Sequence, residues 1–182
     1  MRRDAVRALL LEREPRDAKE EDDRRTMLGF LDELPQPFSR DQHGAHFTAS
    51  ALVVDEPHER TALVHHRKLA IWVQPGGHVD DGDATLGDAA LREVQEELGL
   101  AGVLASPAPL HLDIHEIPDR PDMPAHLHLD VRFLVEAAGD LALSDESIDA
   151  RWLTLAEAQE MGDASVKRLV ACLPSALATP PA

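Results

Sequence analysis

Between Arg92 and Leu100 the chain reads Arg-Glu-Val-Gln-Glu-Glu-Leu-Gly-Leu, and this stretch restricts the fold more than any other. On a helix, residues three and four apart share a face. Glu93, Glu96 and Glu97 therefore crowd one turn, with Arg92 beside them. Leu86, Ala90, Val94 and Leu98, with Leu91 at the edge, form the opposite, apolar stripe. Three carboxylates on one turn raise each other's pKa values unless a cation sits among them. An all-oxygen, partly hydrated site of this kind suits Mg²⁺ or Mn²⁺. The plainer reading is a solvated acidic face. The upstream segment argues against it: Gln74-Pro75-Gly76-Gly77-His78-Val79-Asp80-Asp81-Gly82-Asp83 is turn-rich and acidic, and it leads straight into the helix. With Gly99 as the C-cap, the whole is a loop–helix–loop cassette.

The segment Gly77 to Leu100 resembles the Nudix box, G-x5-E-x7-R-E-U-x-E-E-x-G-U with U an aliphatic residue. The distal half matches at every position: Arg92, Glu93, Val94, Glu96, Glu97, Gly99 and Leu100. The proximal half departs from it. The expected Glu falls on Asp83 counting from Gly77, and on Ala84 counting back from Arg92, so the stretch has one residue too many. A loop accommodates an insertion more easily than a helix does. Asp83, shorter and displaced, is expected to reach neither a metal nor Arg92.

The resemblance covers about residues 45–172. It implies an α/β fold, the Nudix α/β/α sandwich around a mixed sheet, and hydrolysis of a nucleoside diphosphate linked to another group X. It implies Mg²⁺ or Mn²⁺ held by Glu96 and Glu97, with Glu93 as third ligand or as the group that orients the water. Gly77 would contribute its backbone carbonyl, because a residue without Cβ lets the chain approach the ion. Arg92 would hold the cassette rigid or touch a phosphate. The general base comes either from the box helix or from a later loop. Glu146 is the loop candidate, and an exposed loop acid is its alternative reading.

Composition narrows the partners. The net charge of −16 disfavours a duplex-binding surface, which needs Lys and Arg to neutralise phosphates. A small nucleotide or diphosphate substrate is the expected partner, with metal ions carrying the charge compensation. Arg67 and Lys68 are phosphate contacts in this acidic chain, or two solvated loop cations. The single cysteine, Cys172, forms no internal disulfide, so a reducing, cytoplasmic setting is expected. No apolar run approaches a membrane span.

Along the chain, 4–13 and 17–34 read as helices, the second with Met27, Leu28, Leu31 and Leu34 at helical spacing. This extension, residues 1–40, caps the domain, mediates a homodimer or shapes the pocket. Residues 41–174 form the domain and 175–182 a loose tail. His46–Asp55 and Thr61–His66 read as a strand hairpin, and the box helix as Thr85–Leu98. A loop is expected over 101–109, and strands over Leu110–Ile117 and His126–Glu136. An acidic loop follows at Ser144–Asp149, then a short strand at Arg151–Thr154. Helices complete the domain at Leu155–Gln159 and Asp163–Cys172, with Pro174 ending the last. Strand alternation puts His111, Asp113 and His115 on one face, and likewise His126, His128 and Asp130.

Two other classes bear on function. The altered proximal box permits a non-catalytic nucleotide-binding module, although such a module has no need of three clustered acids. Isopentenyl-diphosphate isomerases share the Nudix fold, but their catalytic Cys would fall near Gly76, and the only cysteine is Cys172. Those isomerase relatives also carry a metal site apart from the box acids. By that resemblance its places fall at His46, His78, His128 and Asp130, with His43, His115 and His126 as spares. Imidazole and carboxylate together suit a transition metal better than Mg²⁺. A polar cleft that hydrogen-bonds substrate is the alternative.

Overall fold

The computed structural model describes residues 1–119, 123–145 and 147–177. Ala45–Val54 form β1, ten consecutive buried residues. A strand covered on both faces belongs in the middle of a sheet. β1 pairs in parallel with β7 (His126–Glu136) along its whole length, from Ala45↔Leu127 to Val54↔Glu136. On its other side β1 meets β4 (Gly76–His78) over Thr48 to Ser50, and β2 (Arg60–His66) only at Val53 and Val54. The expected hairpin is therefore joined only at its tip, because the box glycines take the place beside the first half of β1. β3 (Trp72–Val73) and β8 (Ser147–Thr154) pair with β2. β5 (Val103–Leu104) and β6 (His111–Ile117) pair with β7.

Helices cover both faces of this mixed sheet. On one face, α1 (Arg3–Glu12), α2 (Ala18–Glu33) and α3 (Leu86–Leu98) bury a shared core. Val6, Leu10, Met27 and Leu31 pack there with Phe47, Ala49, Ala90, Val131 and Phe133. The N-terminal extension is thus part of the main core. α2 also closes the β6 edge: the amides of Leu112 and Ile114 donate to Glu20 Oε1 (3.0 Å) and Asp23 Oδ2 (3.1 Å). An edge strand whose amides are satisfied in this way offers no template to another chain.

On the opposite face, α4 (Leu155–Met161) and α5 (Ala164–Leu177) cover only the end formed by Leu52, Val54, Leu63 and Leu134. The other end of that face is polar, and this asymmetry positions the site.

Three departures from the sequence reading have local causes. β5 lies within the expected 101–109 loop, where tertiary pairing with β7 orders two residues. β8 starts at Ser147 rather than Arg151, because β2 supplies partners from Arg60 to His66. Such cross-strand pairing overrides weak strand propensity. α5 continues through Pro174 to Leu177; a proline there removes one backbone donor without forbidding a last turn. Among the described residues, no helix is long and apolar enough to cross a membrane.

Candidate active site

Thr85 begins α3 as its N-cap, and its hydroxyl accepts from Asp88 N–H while the Asp88 carboxylate accepts from Thr85 N–H. This reciprocal cap stabilises the helix by about 1 kcal/mol. Gly99, with φ +69°, closes the helix in the left-handed conformation that favours glycine. The apolar stripe faces the core, with Leu86, Ala90, Val94 and Leu98 buried. That orientation turns the glutamates toward β4.

Glu93 lies against the Gly77 backbone. A Cβ on Gly77 would stand 2.6 Å from Glu93 Oε1, so any side chain there would displace the Glu93 carboxylate from this approach. Glu97 Oε2 accepts from Gly76 N–H at 3.2 Å. Glu96 is more exposed and reaches back to Arg92. Burial first of all, together with the charges of Glu96 and Asp80, raises the Glu93 pKa; Arg92 opposes the rise. The donor set fits a hard divalent cation: three carboxylates and a glycine-lined approach.

Arg92 organises the cassette. Its Nη1 donates to Glu93 Oε1 (2.9 Å) and Glu96 Oε2 (3.0 Å), and its Nη2 to the His78 carbonyl (2.7 Å). Its Nε and Nη2 also donate to Asp83, the latter at 3.1 Å to Oδ2. The expectation that Asp83 falls short of Arg92 is therefore corrected. The extra residue is absorbed in a turn where Asp83 N–H donates to the Asp80 carbonyl and Asp80 N–H to Asp83 Oδ2. The turn folds the short side chain inward, to 6% exposure.

The polar end of the sheet is built in rows. β1 and β7 align His46 with His128, which in turn faces His115 on β6. The next row holds His78, Thr48, Asp130 and Asp113, and the next Ser50, Arg132 and His111. His126 precedes His128 by two residues on the same face. The ring centroids of His46 lie 5.1 Å from His78, 5.0 Å from His126 and 5.0 Å from His128. Among the described residues, His46, His78 and His128 have ligand nitrogens within 4.8 Å of one another and could hold a metal ion.

Nε2 of His46, His78, His126 and His128 is buried and has no hydrogen-bond partner among the described residues. An unmet buried polar group costs about 1–3 kcal/mol. Burial, reinforced by the neighbouring imidazoles, lowers the pKa of His78 to about 4 and of His128 to about 2. Beside His46 and His126 a cavity of about 350 Å³ opens between residues 40–44 and 123–126.

Asp130 does not join the three histidines. Its carboxylate accepts from Thr48 Oγ1 (3.2 Å), Ser50 Oγ (2.9 Å) and the Nε of fully buried Arg132 (2.8 Å). Arg132 also donates from Nη2 to Asp113 (2.9 Å). Two residues beyond Asp130 on a strand, Arg132 must share its face, so alternation alone could have revealed the pair. Arg67 is likewise spent within the protein: Nε and Nη2 donate to the carbonyls of Asp145 (3.0 Å) and Ser147 (2.9 Å). Lys68 is exposed in the adjoining turn, where its amide donates to His66 Nδ1. Glu146 lies outside the described residues. The cavity-lining Arg40 carried no sequence signal, being a lone cation in a loop.

No curated protein matches the chain. Solved structures with a similar fold include a MutT protein from Methanosarcina mazei Go1, at TM-score 0.60 and 19% identity, covering 75% of this chain and 97% of that one. A C. elegans Ap4A hydrolase gives TM-score 0.54 and 19% identity, covering 72% and 97%. The NUDIX domain of Shewanella oneidensis NrtR, solved with ADP ribose, gives 0.55 and 18%, covering 82% and 97%. The NUDIX domain family model matches residues 44–172. With strands, box helix and matched span in agreement, the chain belongs to the Nudix hydrolase family.

Proposed function

We propose that this protein is a divalent-metal-dependent pyrophosphohydrolase that cleaves a phosphoanhydride bond in a nucleoside diphosphate linked to another moiety. The observation that carries the reading is the packing of Glu93 and Glu97 against the Gly76–Gly77 backbone, with Arg92 tying Glu93 to Glu96. A complete acidic face directed at a glycine backbone is costly to keep unless cations occupy it. Glu96, Glu97 and the Gly77 carbonyl would hold Mg²⁺ or Mn²⁺, with Glu93 acting on the water. Such ions supply positive charge to the phosphate oxygens and acidify an attacking water.

The chain's own residues do the rest. Arg92 fixes two glutamates and is fully engaged by protein groups, so its part is positioning. Glu93, with Oε1 held by Arg92, presents Oε2 as the atom that takes the proton from water. Its raised pKa makes it a stronger base than a solvated carboxylate. Glu146 is the rival base, and comparing Glu93→Gln with Glu146→Gln separates the two. Cys172 is buried among Leu169 and Leu173 on α5, whereas isomerase chemistry requires its cysteine near Gly76 on β4.

Ap4A and ADP ribose, named for two similar structures, share a phosphoanhydride, and this supports the substrate class. The test is a panel of nucleoside triphosphates, ADP-ribose, sugar nucleotides and dinucleoside polyphosphates with Mg²⁺ or Mn²⁺, read by phosphate release through coupled pyrophosphatase and phosphomonoesterase. Turnover of at least one class that vanishes with chelator is the expected result. Tight nucleotide binding without turnover would make the protein a binding module instead.

A further inference from the structure

We propose that His46, His78 and His128 bind a first-row transition-metal ion, separate from the α3 carboxylates, with His126 between that ion and the cavity at residues 40–44 and 123–126. The inference does not depend on the hydrolase reading. It rests on four observations that a polar cleft does not account for together.

First, three strands not adjacent in sequence bring the three rings together. β4, β1 and β7 each supply one, and their ligand nitrogens lie within 4.8 Å of one another. Small side-chain rotations would close that separation onto one ion about 2.0–2.1 Å from each nitrogen.

Second, the inward atom is the same in each case. Nε2 of all three, and of His126, is buried without a partner among the described residues. Side chains that line a cleft to bind water or substrate would turn these atoms outward.

Third, the opposite ring nitrogen is anchored where the backbone allows. His46 Nδ1 lies 3.5 Å from the Gln42 carbonyl, and His126 Nδ1 lies 2.9 Å from the Pro124 carbonyl. A carbonyl accepts only from N–H, so each contact selects the tautomer with its lone pair on Nε2. Metal-binding histidines are oriented by contacts of this kind.

Fourth, the neighbouring carboxylate is committed elsewhere. Asp130 accepts from Thr48, Ser50 and Arg132, which leaves an imidazole-only set. Nitrogen donors select zinc, cobalt, nickel, copper or iron over magnesium. Three protein ligands leave a fourth position, the arrangement of zinc sites that accept an exogenous ligand. Arg40, at the cavity wall, gives that entrance a positive charge in an acidic chain.

The test uses the full chain without a histidine tag, stripped of metal and titrated with Zn²⁺ against a chromophoric chelator. Elemental analysis reads the stoichiometry, and circular dichroism verifies that each variant is folded. Wild type and Glu97→Gln should each hold one tight equivalent. His46→Asn and His128→Asn should weaken it about a hundredfold or more, and His126→Asn about tenfold. Should His128→Asn fail to fold, Co²⁺ added to wild type gives an independent reading: strong visible bands for nitrogen ligands in a low-coordinate site, weak ones for six oxygens. A folded wild type with no tight zinc would overturn the proposal. So would zinc retained by the His46→Asn, His128→Asn double variant, or zinc lost only with Glu97→Gln.

Discussion

Asp83 and Arg92 form an ion pair across the box, with Arg92 Nη2 3.1 Å from Asp83 Oδ2, and this pair fastens the inserted loop to the helix. Arg92 is shared among Asp83, Glu93, Glu96 and the His78 carbonyl. Loss of Asp83 would therefore let the guanidinium drift toward the glutamates, where it would compete with a cation.

Asp83→Ala should accordingly raise the Mg²⁺ or Mn²⁺ concentration for half-maximal turnover by about 10–100-fold, the range for groups that orient metal ligands. Losing one charged hydrogen-bond partner of Arg92, which keeps Glu93 and Glu96, should also lower stability by about 1.5 kcal/mol. Metal titrations of initial rate and thermal melts check both. An unchanged metal requirement would mean that Arg92 holds its place without Asp83.

Arg67→Ala should leave KM within about threefold. Its guanidinium clasps the carbonyls of Asp145 and Ser147, so it is already occupied. A lost charged contact to substrate phosphate would cost about 1.5–3 kcal/mol, more than tenfold in affinity. The expected change is faster proteolytic cleavage near residues 144–147. A tenfold rise in KM with unchanged proteolysis would assign Arg67 to the substrate.

Glu20 makes stability depend on pH. Buried between α2 and β6, its carboxylate accepts from Arg13 Nε (2.8 Å), Arg16 N–H (2.8 Å) and Leu112 N–H (3.0 Å). Burial pushes its pKa up, but Arg13 and the Arg16 amide outweigh that and hold it below the ordinary value. The folded pKa is thus lower than the unfolded one, about 4.3. The stabilisation is complete above the unfolded value and is lost as pH falls through the folded one. Glu20→Gln should lower the urea midpoint at pH 7, by about 3 kcal/mol in stability. Its gap from wild type should shrink as pH falls below about 4.3. A gap constant from pH 7 to pH 3 would contradict this account.

The parts legible in sequence are those with a local period. Glu93, Glu96 and Glu97 share a face because a helix repeats every 3.6 residues. His126, His128 and Asp130 share one because a strand repeats every two. The long-range register was not legible. The alignment of His46 with His128 comes from parallel pairing between distant segments, and no turn residue fixes such a register. Side-chain length alone places Asp83 short of Arg92, but the backbone turn at Asp80–Asp83 sets its reach instead. The isomerase resemblance groups Asp130 with the histidines, and its actual partners Thr48 and Ser50 lie on another strand, where alternation gives no sign of them.

Glu97→Gln tests the central claim most directly, because it removes a ligand charge and keeps an oxygen for the Gly76 amide. With Mg²⁺ or Mn²⁺ and the best substrate of the nucleotide panel, kcat should fall by about 10²–10³, as when one group that stabilises the transition state is removed. Glu96→Gln should fall in the same direction, and both variants should keep the wild-type melting temperature to within a few degrees. Near wild-type turnover in both folded variants would contradict the assignment of hydrolysis to the box helix.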